Sequence, residues 1–399
     1  MKIRKIDLSD AVSERESKKV RNFKRIFFVL SIVGLLIGLS LFWSIFAPLK
    51  PGGISFPGLP VADPIKSTEG RVNILLFGIG GGTHEGPDLT DSIIVASLNL
   101  KTKQTVMFSI PRDLWMDNIK QRINATYEIG KKTGSGLSFA EDKIDDILGL
   151  TIHYGVLINF DGFGKAIDLV DGIDIEVPTT FDDYEYPITG EEDNLCGLHE
   201  QEVDLNEDQA KALNREVGKA KVLVNDQGKI ASTSADFACR FEHIHFDKGS
   251  NHLNGPIALT FVRSRHGTNG EGSDFARSRR QQLVIEAFGK KALSLPTLIN
   301  PSKLIDLYTT FSKSVETDIP RDKFLEFYNL AKNNKKTVSV VLGDLGNGGS
   351  LFINPSPADY GGAWVLIPKD RDFSKIADFV HQTLIQADQE ATRSAKPSL

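Results

Sequence analysis

The chain has 399 residues, 40% hydrophobic and 25% charged, with a formal net charge of -5. That length holds one large or two ordinary domains with a buried core. The composition excludes a polytopic membrane protein and a disordered chain, and the acidic balance argues against general nucleic-acid binding.

Residues 1–25 form a basic tail with nine lysines and arginines against four acids. Ile26 to Ala47 then carries no charge, and at helical rise it reaches about 33 Å, enough for a bilayer's hydrocarbon core. The run is longer than a usual signal-peptide core and no small-x-small pattern follows it, so an uncleaved transmembrane anchor over 26–47 is expected. The basic flank keeps the N-terminus cytoplasmic and places everything after Ala47 outside the cell membrane. Residues 48–70, rich in proline and glycine up to Pro64, read as a stalk, because they can neither continue a helix nor join a central strand.

From Arg71 the apolar runs have strand character: Asn73 to Phe77, Ser92 to Leu98 and Thr105 to Ile110. Ser138 with Glu141 predicts a capping box opening a helix whose stripe is Phe139, Ile144, Ile147 and Leu148. Val156 to Phe160 predicts a strand, Gly162 to Val170 a helix and Ile173 to Val177 a strand. This alternation favours an α/β layered domain over 71–387. Residues 181–240 differ. They are acidic, carry both cysteines and show only a weak helical pattern around Ala210 to Leu223, which marks a surface insertion. Cys196 and Cys239 lack the spacing of a zinc site and predict one disulfide outside the cytosol. Helices are expected at Leu325 to Lys332 and Ser374 to Ile385, and a frayed tail over 388–399.

The chemistry concentrates between His252 and Gln282. Arg263 and Arg265 alternate around Ser264 and would share one face of an extended chain. Asp274, Arg277 and Gln281 are spaced to share one face of a helix, with Asp274 near its start. Clustered arginines suit a phosphorylated ligand, the plainer alternative being a solvated charged face or local ion pairs. Asp91 and the Arg112-Asp113 pair stand at strand ends, where α/β sheets bind ligands. A metal-binding carboxylate and a further phosphate-binding arginine are reasonable there, a turn cap and an Arg–Asp pair being the plainer readings.

Ser109-Ile110-Pro111-Arg112-Asp113, Arg122-Ile123-Asn124-Ala125-Thr126-Tyr127, and His252-Leu253-Asn254-Gly255 leading through Arg263-Ser264-Arg265 to Asp274, Arg277 and Arg280-Gln281-Gln282 together resemble the LytR-CpsA-Psr family. The resemblance covers roughly Arg71 to Leu293. It implies a central mixed sheet flanked by helices around an apolar channel. It also implies a phosphotransferase that moves a phosphate-linked glycan from a polyprenyl pyrophosphate carrier to a peptidoglycan acceptor, with magnesium as cofactor. On this chain it places Arg112, Arg122, Arg263, Arg265, Arg277 and Gln281 around the pyrophosphate, with Asp91 and Asp274 as metal-binding and catalytic carboxylates. The chain departs from the family pattern at Gly80, where an acid is usual, and at Leu89, where an arginine is usual. His84, Glu85 and Asp88 are candidates to replace the acid. A pyrophosphate hydrolase and a non-catalytic binder of anionic wall polymers are the rival readings.

Overall fold

The structure, a computed structural model, describes residues 64–81, 86–293, 314–343 and 349–394. The described residues all belong to one compact unit that begins at Pro64. The basic tail, the expected span and most of the stalk lie outside them. Among the described residues no helix is long and apolar enough to cross a membrane.

The first strands follow from runs of β-branched and aliphatic residues: β1 (Arg71–Ile79), β2 (Thr90–Asn99) and β3 (Gln104–Ser109). A two-residue ribbon, β4 (Trp115–Met116) with β5 (Gln121–Arg122), leads into α1 (Thr126–Thr133), α2 (Leu137–Leu148), β6 (Tyr154–Asn159) and α3 (Phe160–Leu169). Next come β7 (Ile173–Val177) and β8 (Phe181–Pro187). Then follow β9 (His199–Leu205), α4 (Glu207–Ala212), β10 (Gly218–Val224), β11 (Phe241–Phe246) and β12 (Gly249–Leu253). Two helices carry the arginine-rich segment, α5 (Gly255–Arg263) and α6 (Asp274–Ala292). The chain continues through β13 (Val315–Thr317), α7 (Phe324–Lys332), β14 (Lys336–Val341), β15 (Phe352–Ile353), β16 (Ile367–Pro368) and α8 (Ser374–Ser394).

The central sheet is mixed, in the order β13-β6-β1-β2-β3-β14. β1 runs parallel to β6 and antiparallel to β2, and β3 runs antiparallel to β2 and parallel to β14. Strand side chains alternate between faces. Leu75, Phe77, Ile93 and Val95 therefore pack on one face with Ile144, Ile147 and Leu148 of α2 and Ile376, Val380 and Leu384 of α8. Leu76, Gly78, Ile94 and Ile158 turn to the opposite face, towards Val262 of α5 and Val284 and Ile285 of α6. A second apolar cluster joins α3, β7, α5 and α6 through Ile167, Ile173, Phe261 and Val284.

Four local expectations are corrected. No capping box opens α2: Gly136 is its N-cap without a side-chain bond, and Ser138 Oγ donates instead to the Ser135 carbonyl at 2.8 Å. The expected helix around Ala210 to Leu223 is the short α4 followed by β10. Asn214 takes a positive φ of 50° and Gly218 one of 121°, which break the helical path between them. Phe160 opens α3 rather than closing β6, because Asn159 caps it by accepting from the Asp161 N–H at 2.8 Å. Helix α8 runs on to Ser394, beyond the expected start of a frayed tail at 388, with Ala387 buried and Asp388 held by Arg71 at 2.8 Å.

Candidate functional site

The site begins with a capped helix. Asn254 accepts from the Ile257 N–H at 3.0 Å, and Pro256 sits in the first turn, where its missing N–H costs nothing. Ala258, Phe261 and Val262 bury one face of α5, whose last residue is Arg263. Ser264 then leaves the helix with φ −51° and ψ 135°. Arg263 and Arg265 thus flank a helix end, not neighbouring positions of a strand, yet both reach the same cavity.

Two buried residues hold that turn. Asp183 of β8, fully buried, accepts from Ser264 Oγ at 2.7 Å and from the N–H groups of Arg265 at 3.2 Å, His266 at 3.1 Å and Glu185 at 2.9 Å. Burial alone would raise its pKa, but these hydrogen bonds, led by Ser264, outweigh it and hold the carboxyl below the usual range. From the other side Arg280 of α6 donates to the carbonyls of Phe261 at 2.8 Å, Glu271 at 2.8 Å and Ser264 at 2.6 Å, and to the Glu271 carboxylate at 2.6 Å. It is a structural arginine; none of its guanidinium reaches the cavity lining.

Ser273 caps α6 by accepting from the Ala276 N–H at 3.1 Å. The three- and four-residue steps then bring Asp274, Arg277 and Gln281 to one side, with Arg277 against Asp274 at 2.8 Å. Arg112 follows β3 through Pro111 and pairs with Asp91 at the start of β2. Burial would lower the Arg112 pKa, but Asp91 and Asp113 more than offset it. Arg277 is buried further, and desolvation carries its pKa below the usual value, with Arg112 and Arg265 adding repulsion.

Asp91, Arg112, Arg263, Arg265, Arg277 and Gln281 together line a cavity of about 660 Å³, although they are scattered along the sequence. Phe160 and Val262 line it too, and with Gln281 they also border a narrow slot of about 60 Å³ between the sheet and α6. The slot is walled by Leu76, Ile94, Ile158, Phe163, Val284 and Ile285. A further cavity of about 250 Å³ shares Asp91, Arg112, Arg277 and Gln281 and adds Asp274 and the exposed Trp364.

Arg122 is not among the lining residues: it donates to Asp113 at 2.9 Å and is engaged on the ribbon that β5 forms. Gly80 does line the larger cavity, and Asp88 pairs with Lys131 at 2.7 Å outside it. His84 and Glu85 lie outside the described residues. The insertion contributes residues that its composition did not announce, with Asp183, Glu185, Tyr186 and Pro187 of β8 forming one wall. Cys196 and Cys239 are bonded, with Cα atoms 5.6 Å apart, away from the cavity lining.

The arrangement can hold a polyanion at the mouth of an apolar slot, since arginines pair with phosphate bidentately and the greasy wall lies directly behind them. Asp91 and Asp274 supply hard oxygen donors on the 250 Å³ cavity, the donor type that magnesium takes together with substrate phosphates.

The model of the LytR_cpsA_psr family matches residues 60–342. A polyisoprenyl-teichoic acid–peptidoglycan teichoic acid transferase, TagU, of Bacillus mycoides is 25% identical over 329 residues, covering 78% of this chain and 84% of the relative. Its counterpart from Oceanobacillus iheyensis is 24% identical over 315 residues, covering 76% and 73%. The crystal structure of a transcriptional regulator from Enterococcus faecalis superposes with a TM-score of 0.50 at 19% identity, over 79% of this chain and 87% of that one. That last likeness is one of fold alone.

Proposed function

Because the chain belongs to the LytR-CpsA-Psr family, we propose that it is a phosphotransferase of the cell envelope. In this reading it moves a phosphate-linked glycan from a polyprenyl pyrophosphate carrier to a peptidoglycan hydroxyl. The observation that carries the reading is the convergence of Arg112, Arg263, Arg265 and Arg277 on one cavity that shares Phe160, Val262 and Gln281 with an apolar slot. A polyprenyl pyrophosphate has that same division into dianion and hydrocarbon. Each buried methylene contributes about 0.8 kcal/mol, so the slot would hold the carrier's tail while the arginines hold its head. At about 60 Å³ the slot is too small for the whole tail.

In the reaction the acceptor oxygen attacks the phosphorus attached to the sugar. The bond from that phosphorus to the bridging oxygen breaks, and polyprenyl phosphate leaves with the electron pair. The arginines stabilise charge on the non-bridging oxygens and on the leaving phosphate, and fixed placement supplies much of the remaining acceleration. The acceptor's proton passes to a carboxylate of the site or to solvent. Asp91 and Asp274 would hold magnesium, which supplies further charge neutralisation when bound. The chain is anchored in this reading by the apolar run 26–47, with residues after Ala47 outside the cell.

Asp91→Asn tests it. The change keeps the shape and removes one charge from a half-exposed pair, so the melting temperature should stay within a few degrees while magnesium-dependent transfer from a synthetic lipid-linked polymer is lost. Undiminished transfer would remove Asp91 from the site. Release of free polymer phosphate without any acceptor adduct would favour the hydrolase reading.

A further inference from the structure

The outer face of the insertion carries a second constellation. On β11, His243 and His245 lie two residues apart and are both exposed, while Ile244 between them is turned inward. Across the ladder Asp182 of β8 pairs in register with His245. Its Oδ1 stands 2.8 Å from His243 Nε2 and 2.8 Å from His245 Nδ1. The three potential ligand atoms all lie within 4.8 Å of one another. We propose that Asp182, His243 and His245 form a binding site for a divalent transition-metal ion of the zinc class, separate from the arginine-lined cavity.

Three features make this more than a chance pair of histidines. One carboxylate oxygen serves two imidazoles, an arrangement that needs a proton on both rings, whereas a metal ion would replace both protons with bonds to neutral nitrogens. His245 Nε2 faces Asp247 at 3.3 Å, so a proton held there leaves Nδ1 free to ligate, as outer carboxylates do for metal-bound histidines. The His243 ring is stacked on Tyr184 with centroids 4.3 Å apart and planes 7° from parallel, which fixes its orientation before any ion arrives. Bonds of about 2.0–2.1 Å in a tetrahedral set require ligand atoms about 3.3 Å apart, within reach of small side-chain rotations. Two nitrogens and one carboxylate select zinc over magnesium and leave a fourth position for water.

Such an ion would clamp β8 to β11. On the inward face of the same strand Asp183 holds the turn between Arg263 and Arg265, and the Asp182 carbonyl accepts from the Thr268 N–H at 2.8 Å. The metal would therefore stiffen the wall of the anion cavity without entering it.

The test is calorimetric titration of zinc chloride into the purified full-length chain, free of histidine tags, with magnesium in excess to occupy the carboxylates of the cavity. One zinc per chain is expected. His243→Ala and Asp182→Asn should abolish that uptake, and Asp247→Asn should weaken it about 10- to 100-fold. His252→Ala, which removes another exposed histidine paired with an aspartate at 2.7 Å, should leave uptake unchanged. The Asp247→Asn variant keeps all three ligands, so its readout survives should the ligand variants misfold. No zinc uptake by the wild-type chain overturns the proposal, as does uptake that all three variants at the site leave at its wild-type affinity.

Discussion

Replacing Asp183 by asparagine separates what holds the arginines from what they hold. The carboxylate accepts three bonds on Oδ2, from Ser264 Oγ and the N–H groups of Arg265 and His266, and one on Oδ1 from the Glu185 N–H. An amide oxygen turned to the first three leaves its NH₂ facing the fourth donor, so one bond is lost and the rest lose their charge assistance. That costs about 2 kcal/mol, which at about 2–4 °C per kcal/mol lowers the melting temperature by about 4–8 °C. The catalytic effect should be larger than the stability effect suggests. A turn displaced by an ångström would move two guanidinium groups away from the proposed pyrophosphate site and should cut kcat/KM for polymer transfer about 10- to 100-fold. Acid sensitivity gives an independent readout. The folded carboxyl is held below its unfolded pKa, so its contribution is present above the usual carboxylate range and is lost as pH falls through the folded value. Thermal melts of mutant and wild type should therefore converge below about pH 4. A mutant melting within about 1 °C of wild type at pH 7, with unchanged kcat/KM, would refute the claim that Asp183 sets the turn.

Glu141 should act in the opposite sense. Burial first, then Asp318 and Asp142, push its pKa up to about 7, so ionisation disfavours the folded state as pH rises from the unfolded carboxylate value towards 7. Glu141→Gln is expected to raise the melting temperature at pH 8 and leave it unchanged at pH 4, as differential scanning fluorimetry across that range would show. The disulfide closes a loop with a sequence separation of 43, worth roughly 4 kcal/mol in the chain-entropy model. Reduction, or Cys239→Ser, should loosen the insertion first, read as faster amide exchange in β9 and β10 while β1 and β2 stay protected.

The central strands were legible because their apolar runs are local: Asn73 to Phe77 and Ser92 to Leu98 each announce a buried strand, and the structure extends them by a residue or two. The face shared by Asp274, Arg277 and Gln281 was legible for the same reason, since helical spacing alone determines it. Arg263 and Arg265 line one cavity, as expected, but by another conformation than the expected strand. Their alternation suggests a strand, while Asn254 and Pro256 upstream are the start signal of the helix that α5 proves to be. Asn206 with Gln209 likewise forms a capping box, the start signal of the short helix α4 that the reading around Ala210 to Leu223 passed over. The role of Asp183 had no local signal. Its partners Ser264, Arg265 and His266 lie some eighty positions downstream, and within an acidic stretch one buried aspartate looks like its less buried neighbours. The placement of Arg122 was hidden for a related reason: membership of a recognisable segment does not say which way a side chain points, and here it pairs with Asp113.

The charge balance of the cavity explains why these arginines can be assembled at all. Arg277 is nine-tenths buried, with Asp274 in contact and Arg112 and Arg265 near enough to repel it. Asp91 and Asp113 do for Arg112 what Asp274 does for Arg277. Each of the two deepest arginines is thus held by its own carboxylate, so the chain folds without waiting for an anion. Arg263 has an aromatic partner instead, its guanidinium lying 5.4 Å from the centre of the Phe160 ring, on the border between cavity and slot. In the proposed reaction a phosphate entering there would meet one cation already placed on an apolar surface and two more whose carboxylates would have to share them. Binding a dianion would then compete with Asp91 and Asp274 for the same guanidinium groups. A divalent cation that drew those carboxylates away would leave Arg112 and Arg277 for the phosphate, which would tie the proposed magnesium dependence to the ion pairs of the fold.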